Sequence, residues 1–127
     1  MMFLMTRIGD VGTCAVIESD EAIAYYVSLA LLRPNQDMVK SKYIKYILES
    51  RFGKMELRKR TLLTAVPLKI NLGDIGKISI MIMPISEQSR IVSILDTFEA
   101  SIANLKAQLK EREKQYEYYR NKLLTFD

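Results

Sequence analysis

The sequence predicts an α+β protein: a small mixed globular head over residues 1–85, followed by one long coiled-coil helix over residues 86–127. Three observations predict it. Residues 1–85 break into short apolar segments of strand-like and helix-like period, separated by Gly, Pro, Asn and charged turns. From Ile91 onward, apolar or aromatic residues return at alternating steps of four and three, with no Gly or Pro interrupting them. The charge divides at the same place. Residues 86–127 carry seven basic and seven acidic groups, so the whole net charge of +4 sits on residues 1–85.

In chain order, Phe3–Thr6 and Thr13–Ile17 read as two strands joined by Arg7-Ile8-Gly9-Asp10-Val11-Gly12. Its two glycines permit positive φ or a close backbone approach. The loop has neither the G-x-G-x-x-G spacing nor the following helix of a phosphate cradle, and a plain hairpin loop is the simpler reading. Glu18 to Glu21 is a polar turn. Ala22 to Leu32, with Tyr25, Tyr26 and Val27, leans to β and stops at Arg33-Pro34-Asn35. Ser41 is placed to cap a helix through about Ser50, with Tyr43, Ile44, Ile47 and Leu48 on one face. The stretch Arg51 to Arg60 holds five basic residues against Glu56 alone, as a continued helix or a loop. Asn71 caps a single turn, Leu72 to Ile75. Ile78, Ile80 and Ile82 then alternate with Ser79, Met81 and Met83 as a strand, for four or five strands in all.

The long helix opens at Pro84-Ile85-Ser86-Glu87-Gln88, with Ser86 as its N-cap and Glu87 placing negative charge at the positive end of the dipole. Its seam runs Ile91, Leu95, Phe98, Ile102, Leu105, Leu109, Arg112, Tyr116, Tyr119, Leu123 and Phe126. A helix of some 38 residues extends roughly 57 Å, too long to bury its seam against so small a head. It calls for a second long helix, and Arg112 at a d position would fix register or partner.

The chemistry of the chain is bounded by what it lacks. With no His, a Ser–His or Cys–His nucleophilic pair and an imidazole metal site are both impossible. A lone Cys14 rules out a disulfide framework and suits a reducing compartment. Arg7 and Gly9 cut the apolar opening Met-Met-Phe-Leu-Met short of a signal-peptide core, and no apolar run reaches membrane-spanning length. The expectation is a soluble cytoplasmic protein without catalysis or cofactor of its own, whose basic head meets a polyanion.

Three stretches together resemble one family. Pro84-Ile85-Ser86-Glu87-Gln88-Ser89-Arg90-Ile91-Val92-Ser93-Ile94-Leu95-Asp96 looks like the opening of the long helix in specificity (S) subunits of type I restriction–modification systems. Lys114-Gln115-Tyr116-Glu117-Tyr118-Tyr119-Arg120-Asn121-Lys122-Leu123-Leu124-Thr125-Phe126 resembles the end of that helix, in the form found after the first recognition domain. Met5-Thr6-Arg7-Ile8-Gly9-Asp10-Val11-Gly12 resembles the glycine-containing hairpin of a target recognition domain. Lys42-Tyr43-Ile44-Lys45-Tyr46-Ile47-Leu48 and Asn71-Leu72-Gly73-Asp74-Ile75-Gly76-Lys77-Ile78 follow it in the expected order.

The resemblance implies a non-catalytic module that reads one part of a bipartite site on double-stranded DNA. A full S subunit has two recognition domains whose helices pair antiparallel as a ruler. Methyltransferase (M) subunits carrying S-adenosylmethionine, and ATP-driven restriction (R) subunits, act at the site it selects. One head and one helix make at most half an S subunit, and the chain begins almost at the hairpin, as a truncated reading frame, an exchangeable cassette or a fragment would. On this reading Lys54, Arg58, Lys59 and Arg60 contact phosphates, while Arg7, Gly9 and Gly12 lie nearer base edges. The seam from Ile91 to Leu123 pairs with a second copy or with another S-subunit helix. The alternative is a coiled-coil assembly protein that does not read DNA.

Overall fold

The computed structural model describes residues 2–19 and 21–126; Asp20, inside the predicted Glu18–Glu21 turn, lies outside them, as do Met1 and Asp127. The chain folds as α+β, in the order β1 (Met2–Thr6), β2 (Cys14–Ile17), β3 (Leu29–Leu32), α1 (Ser41–Glu49), α2 (Arg51–Arg60), α3 (Leu72–Ile75) and α4 (Ile85–Leu123). Two compact units divide it, Met1–Val92 and Ser93–Asp127, so the first two turns of α4 belong to the first unit.

In the first unit, the three strands form an antiparallel sheet in the order β2-β1-β3. Register places Phe3 between Val16 and Leu32, and Met5 between Cys14 and Ala30. Side chains alternate across a strand, so these residues share the face turned to the core. Phe3 and Met5 are fully buried and meet Leu48 of α1, Leu57 of α2 and Ile70. Each such burial contributes about 1.5–3 kcal/mol before conformational entropy is counted.

The basic stretch is a helix of its own. Ser50 ends α1 and begins α2 at once: its hydroxyl donates to the Ile47 carbonyl at 2.5 Å and accepts from the Gly53 amide at 3.2 Å. At this corner the two helices approach so closely that a Cβ on Gly53 would lie 2.0 Å from the Ile47 carbonyl oxygen. Only glycine fits there.

Several sequence expectations are corrected. The sheet has three strands, not four or five, among the described residues. Of Ala22–Leu32 only Leu29–Leu32 pairs with β1; the residues before it are largely exposed. Ile78–Met83 has no regular secondary structure and joins no ladder among the described residues. Ile78 and Ile80 pack on the core as the alternation implies but Ile82 is exposed, while the Met81 carbonyl accepts from the Tyr43 hydroxyl and the Met83 carbonyl from Gln88 Nε2. Side chains there take the place of a neighbouring strand. Ser41 sits inside α1, its hydroxyl accepting from Gln36 Nε2 at 3.0 Å, and Lys40 holds the cap position. Asn71 does cap the Leu72–Ile75 turn in position, but through no side-chain hydrogen bond. Ser86 is likewise one residue inside α4, where the Gln88 amide donates to the Pro84 carbonyl at 3.0 Å.

Gln88 explains why α4 begins where it does. Its fully buried side chain accepts from the Lys40 amide at 2.9 Å and donates to the Met38 carbonyl at 3.0 Å and the Met83 carbonyl at 2.7 Å. A primary amide is the one neutral side chain that both accepts and donates twice, so it joins the start of α1 to the start of α4. Val92 and Ile91 then pack against Val39 and Tyr43.

Candidate nucleic-acid interface

The β1–β2 hairpin loop is built around Asp10. Its carboxylate accepts from the hydroxyls of Thr6 at 2.9 Å and Thr13 at 2.5 Å, and these bonds, Thr13 first, hold its pKa below the ordinary 3.8. Gly9 and Gly12 take φ of 79° and 104°, the left-handed region that favours glycine. At Gly12 a second constraint applies, since a Cβ would stand 2.7 Å from Leu57 Cδ1 of α2. Backbone packing therefore sets the loop directly against the basic helix.

Two further segments join it. The Gly9 amide donates to the Leu68 carbonyl at 2.6 Å and the Ile70 amide to the Arg7 carbonyl at 3.0 Å, tying the loop to the chain that follows α2. On the other side the Arg7 amide donates to the Ser28 carbonyl, and its guanidinium donates through Nη1 to the Val27 carbonyl at 2.5 Å. Arg7 Nε is buried with no hydrogen-bond partner among the described residues. Arg7 thus holds the exposed Tyr25–Val27 segment beside the hairpin.

Along α2, Arg51, Lys54 and Arg58 recur at steps of three and four and line one cleft of about 550 Å³. Its other walls are Val11 of the hairpin loop, Met55 and Leu57 of α2, and Thr61 and Leu63 after the helix. Of the four cations singled out from the sequence, Lys54 and Arg58 share this face. Lys59 is paired with Glu56 at 2.7 Å and Arg60 lies at the helix end, neither of them lining the cleft. Arg51 was missed. The signal was present in the 3.6-residue period, but using it required knowing that a fresh helix starts after Ser50. Among the described residues, no group of three or more Cys, Asp or Glu side chains is placed to hold a metal ion. No helix among them is long and apolar enough to cross a membrane.

In the second unit, α4 exposes the predicted seam. Ile91 is taken up by the core of the first unit and Leu95 is half-buried. From there Phe98, Ile102, Leu105, Leu109, Tyr116, Tyr119 and Leu123 are each half or more exposed. Arg112, within the seam, donates to Gln115 Oε1 at 3.0 Å. Phe126 lies beyond the helix end and is exposed as well.

The chain is similar in sequence to known proteins along most of its length. The family model described as the type I restriction modification DNA specificity domain matches residues 3–114. A chain named as a type I restriction enzyme specificity subunit in Haemophilus influenzae is 27% identical over 128 residues, covering 97% of this chain and 31% of the relative. The EcoR124I/EcoR124II specificity subunit of Escherichia coli is 59% identical over 39 residues, 31% of this chain and 10% of the relative. The MjaX specificity subunit of Methanocaldococcus jannaschii is 28% identical over 117 residues, 91% of this chain and 27% of the relative. The chain therefore spans less than a third of the length of these relatives.

Proposed function

The chain belongs to the family of type I restriction–modification DNA specificity domains, the non-catalytic, DNA-recognition component of those systems, and on that premise we propose how its two units serve recognition. The head lays α2 along a duplex backbone, with Arg51, Lys54 and Arg58 on phosphates and the Gly9–Gly12 loop approaching base edges. Lys59 and Arg60 add to the local positive potential. The exposed seam of α4 pairs with a second long helix, antiparallel, so that two heads face two parts of a bipartite site. M and R subunits then act where the assembly binds, in the cytoplasm.

The observation that supports this best is the cleft shared by three cations and the hairpin loop. Three positive side chains on one helix face, at a site with no metal-type acidic cluster among the described residues, suit a polyanion better than a small substrate. Replacing Arg51, Lys54 and Arg58 together by Gln tests it. The slope of log binding constant against log salt falls by about one unit for each phosphate that is no longer neutralised. An unchanged slope refutes the assignment.

The exposed seam supports a second reading, in which the chain assembles with another S or M polypeptide and does not itself read DNA. Retardation of a duplex at low salt by the purified chain excludes that reading. Stable association with an S or M chain and no retardation of any duplex establishes it.

A further inference from the structure

The segment that follows α2 is unlike an ordinary surface loop. Thr61-Leu62-Leu63-Thr64-Ala65-Val66-Pro67-Leu68 contains no ionisable group, and of the residues that dominate turns (Gly, Pro, Asn, Asp and Ser) it has only Pro67. Yet it is largely exposed: Val66 is 99% and Leu63 50% accessible, with Leu62 and Leu68 exposed as well. The base is pinned, the Leu62 amide donating to the Lys69 carbonyl at 2.7 Å and the Ala65 amide to the Leu62 carbonyl at 3.3 Å. Leu68 is held in turn by the Gly9 amide. An aliphatic tip is thus presented on a braced stem.

Its surroundings say what it meets. Leu63 lines the same cleft as Arg51, Lys54 and Arg58. In sequence the tip is bracketed by Arg58-Lys59-Arg60 before it and Lys69 after it. A duplex offers phosphates to those cations, and the one apolar group it displays in the major groove is the thymine 5-methyl.

Resting on the DNA-reading assignment above, we propose that Leu63 and Val66 are specificity-determining residues, and that this loop reads thymine methyl groups in the major groove beside the phosphates held by α2.

The test uses the full chain and duplexes recovered from a random pool by binding to it, each resynthesised with thymine or with uracil, which lacks only the methyl. The wild-type chain should bind the uracil duplex more weakly, by about fourfold for each methyl read. Leu63→Ser with Val66→Ser should bind both duplexes alike while retaining the wild-type salt slope. Both positions are exposed, so the fold should survive, which circular dichroism checks. The double variant keeping the wild-type thymine preference overturns the proposal, as does a wild-type chain indifferent to the methyl. Either result leaves the α2 assignment standing if the Arg51/Lys54/Arg58 variant still loses its salt slope. If instead the double variant loses only attachment to phosphatidylserine vesicles and keeps its thymine preference, the tip is a membrane contact and the proposal falls. Failure of the wild-type chain to retard any duplex overturns this proposal together with the reading beneath it.

Discussion

Single residues fix the head more tightly than composition reveals. Gln88 could be read as part of a family motif, but not as the joint between two helix starts, because its partners Lys40 and Met38 lie about fifty positions away. Gln88→Ala leaves the Lys40 amide and two carbonyls without that partner. At about 1–3 kcal/mol for a buried group left unsatisfied, the expected loss of stability is about 2–4 kcal/mol by urea unfolding. Asp10 makes a pH-dependent contribution. Its folded pKa is depressed, so its ionised form stabilises the hairpin above the ordinary 3.8, and this is lost as pH falls through the lower folded value. The stability gap between wild type and Asp10→Asn should be widest near neutrality and close in acid. Burial, reinforced by Glu49, pushes the Cys14 thiol up to about 12. Iodoacetamide at pH 8 should therefore label it slowly until urea is added; fast labelling of the folded chain would show the thiol open to solvent.

At the scale of elements, legibility followed the strength of the period. The β1–β2 hairpin, α1 and the long helix were readable because each has one apolar face and a marked boundary. The segment Ala22–Leu32 was not, since Leu29 and Leu31 make the outer face of β3 apolar too, and alternation vanishes. Ile78–Met83 alternates correctly yet pairs with no strand among the described residues, because carbonyls along it are satisfied by Tyr43 and Gln88 from other elements. Whether Arg51–Arg60 was helix or loop depended on Ser50 acting as two caps at once, which local propensity does not encode. The exposed seam of α4 yields its own expectation. Light scattering across a concentration series should give twice the 14.7 kDa chain mass. Leu105→Glu with Leu109→Glu should return the monomer, since a like-charged seam cannot be buried against a copy of itself. A wild-type monomer throughout would assign the seam to a different helix.

For the whole molecule, the net charge of +4 lies on residues 1–85 and residues 86–127 are neutral, which suits the proposed division between contact with a polyanion and pairing. That division of charge was visible in the count alone. The surface proposed for recognition was only partly legible. The hairpin glycines, Lys54 and Arg58 were proposed from the sequence, while the place of Arg51 and Leu63 in the same cleft required the packing of α2 against the hairpin. Gly12 marks that packing, and Gly12→Ala should lower stability by about 1–3 kcal/mol, since it places a Cβ at positive φ and against Leu57. DNA binding through α2 is the claim on which the rest depends. The deciding measurement is the equilibrium binding of the full chain to a duplex across a salt series, wild type beside the Arg51→Gln, Lys54→Gln, Arg58→Gln variant. A slope shallower by about three units in the variant is predicted. Equal slopes, or no binding by the wild type at the lowest salt, would contradict it.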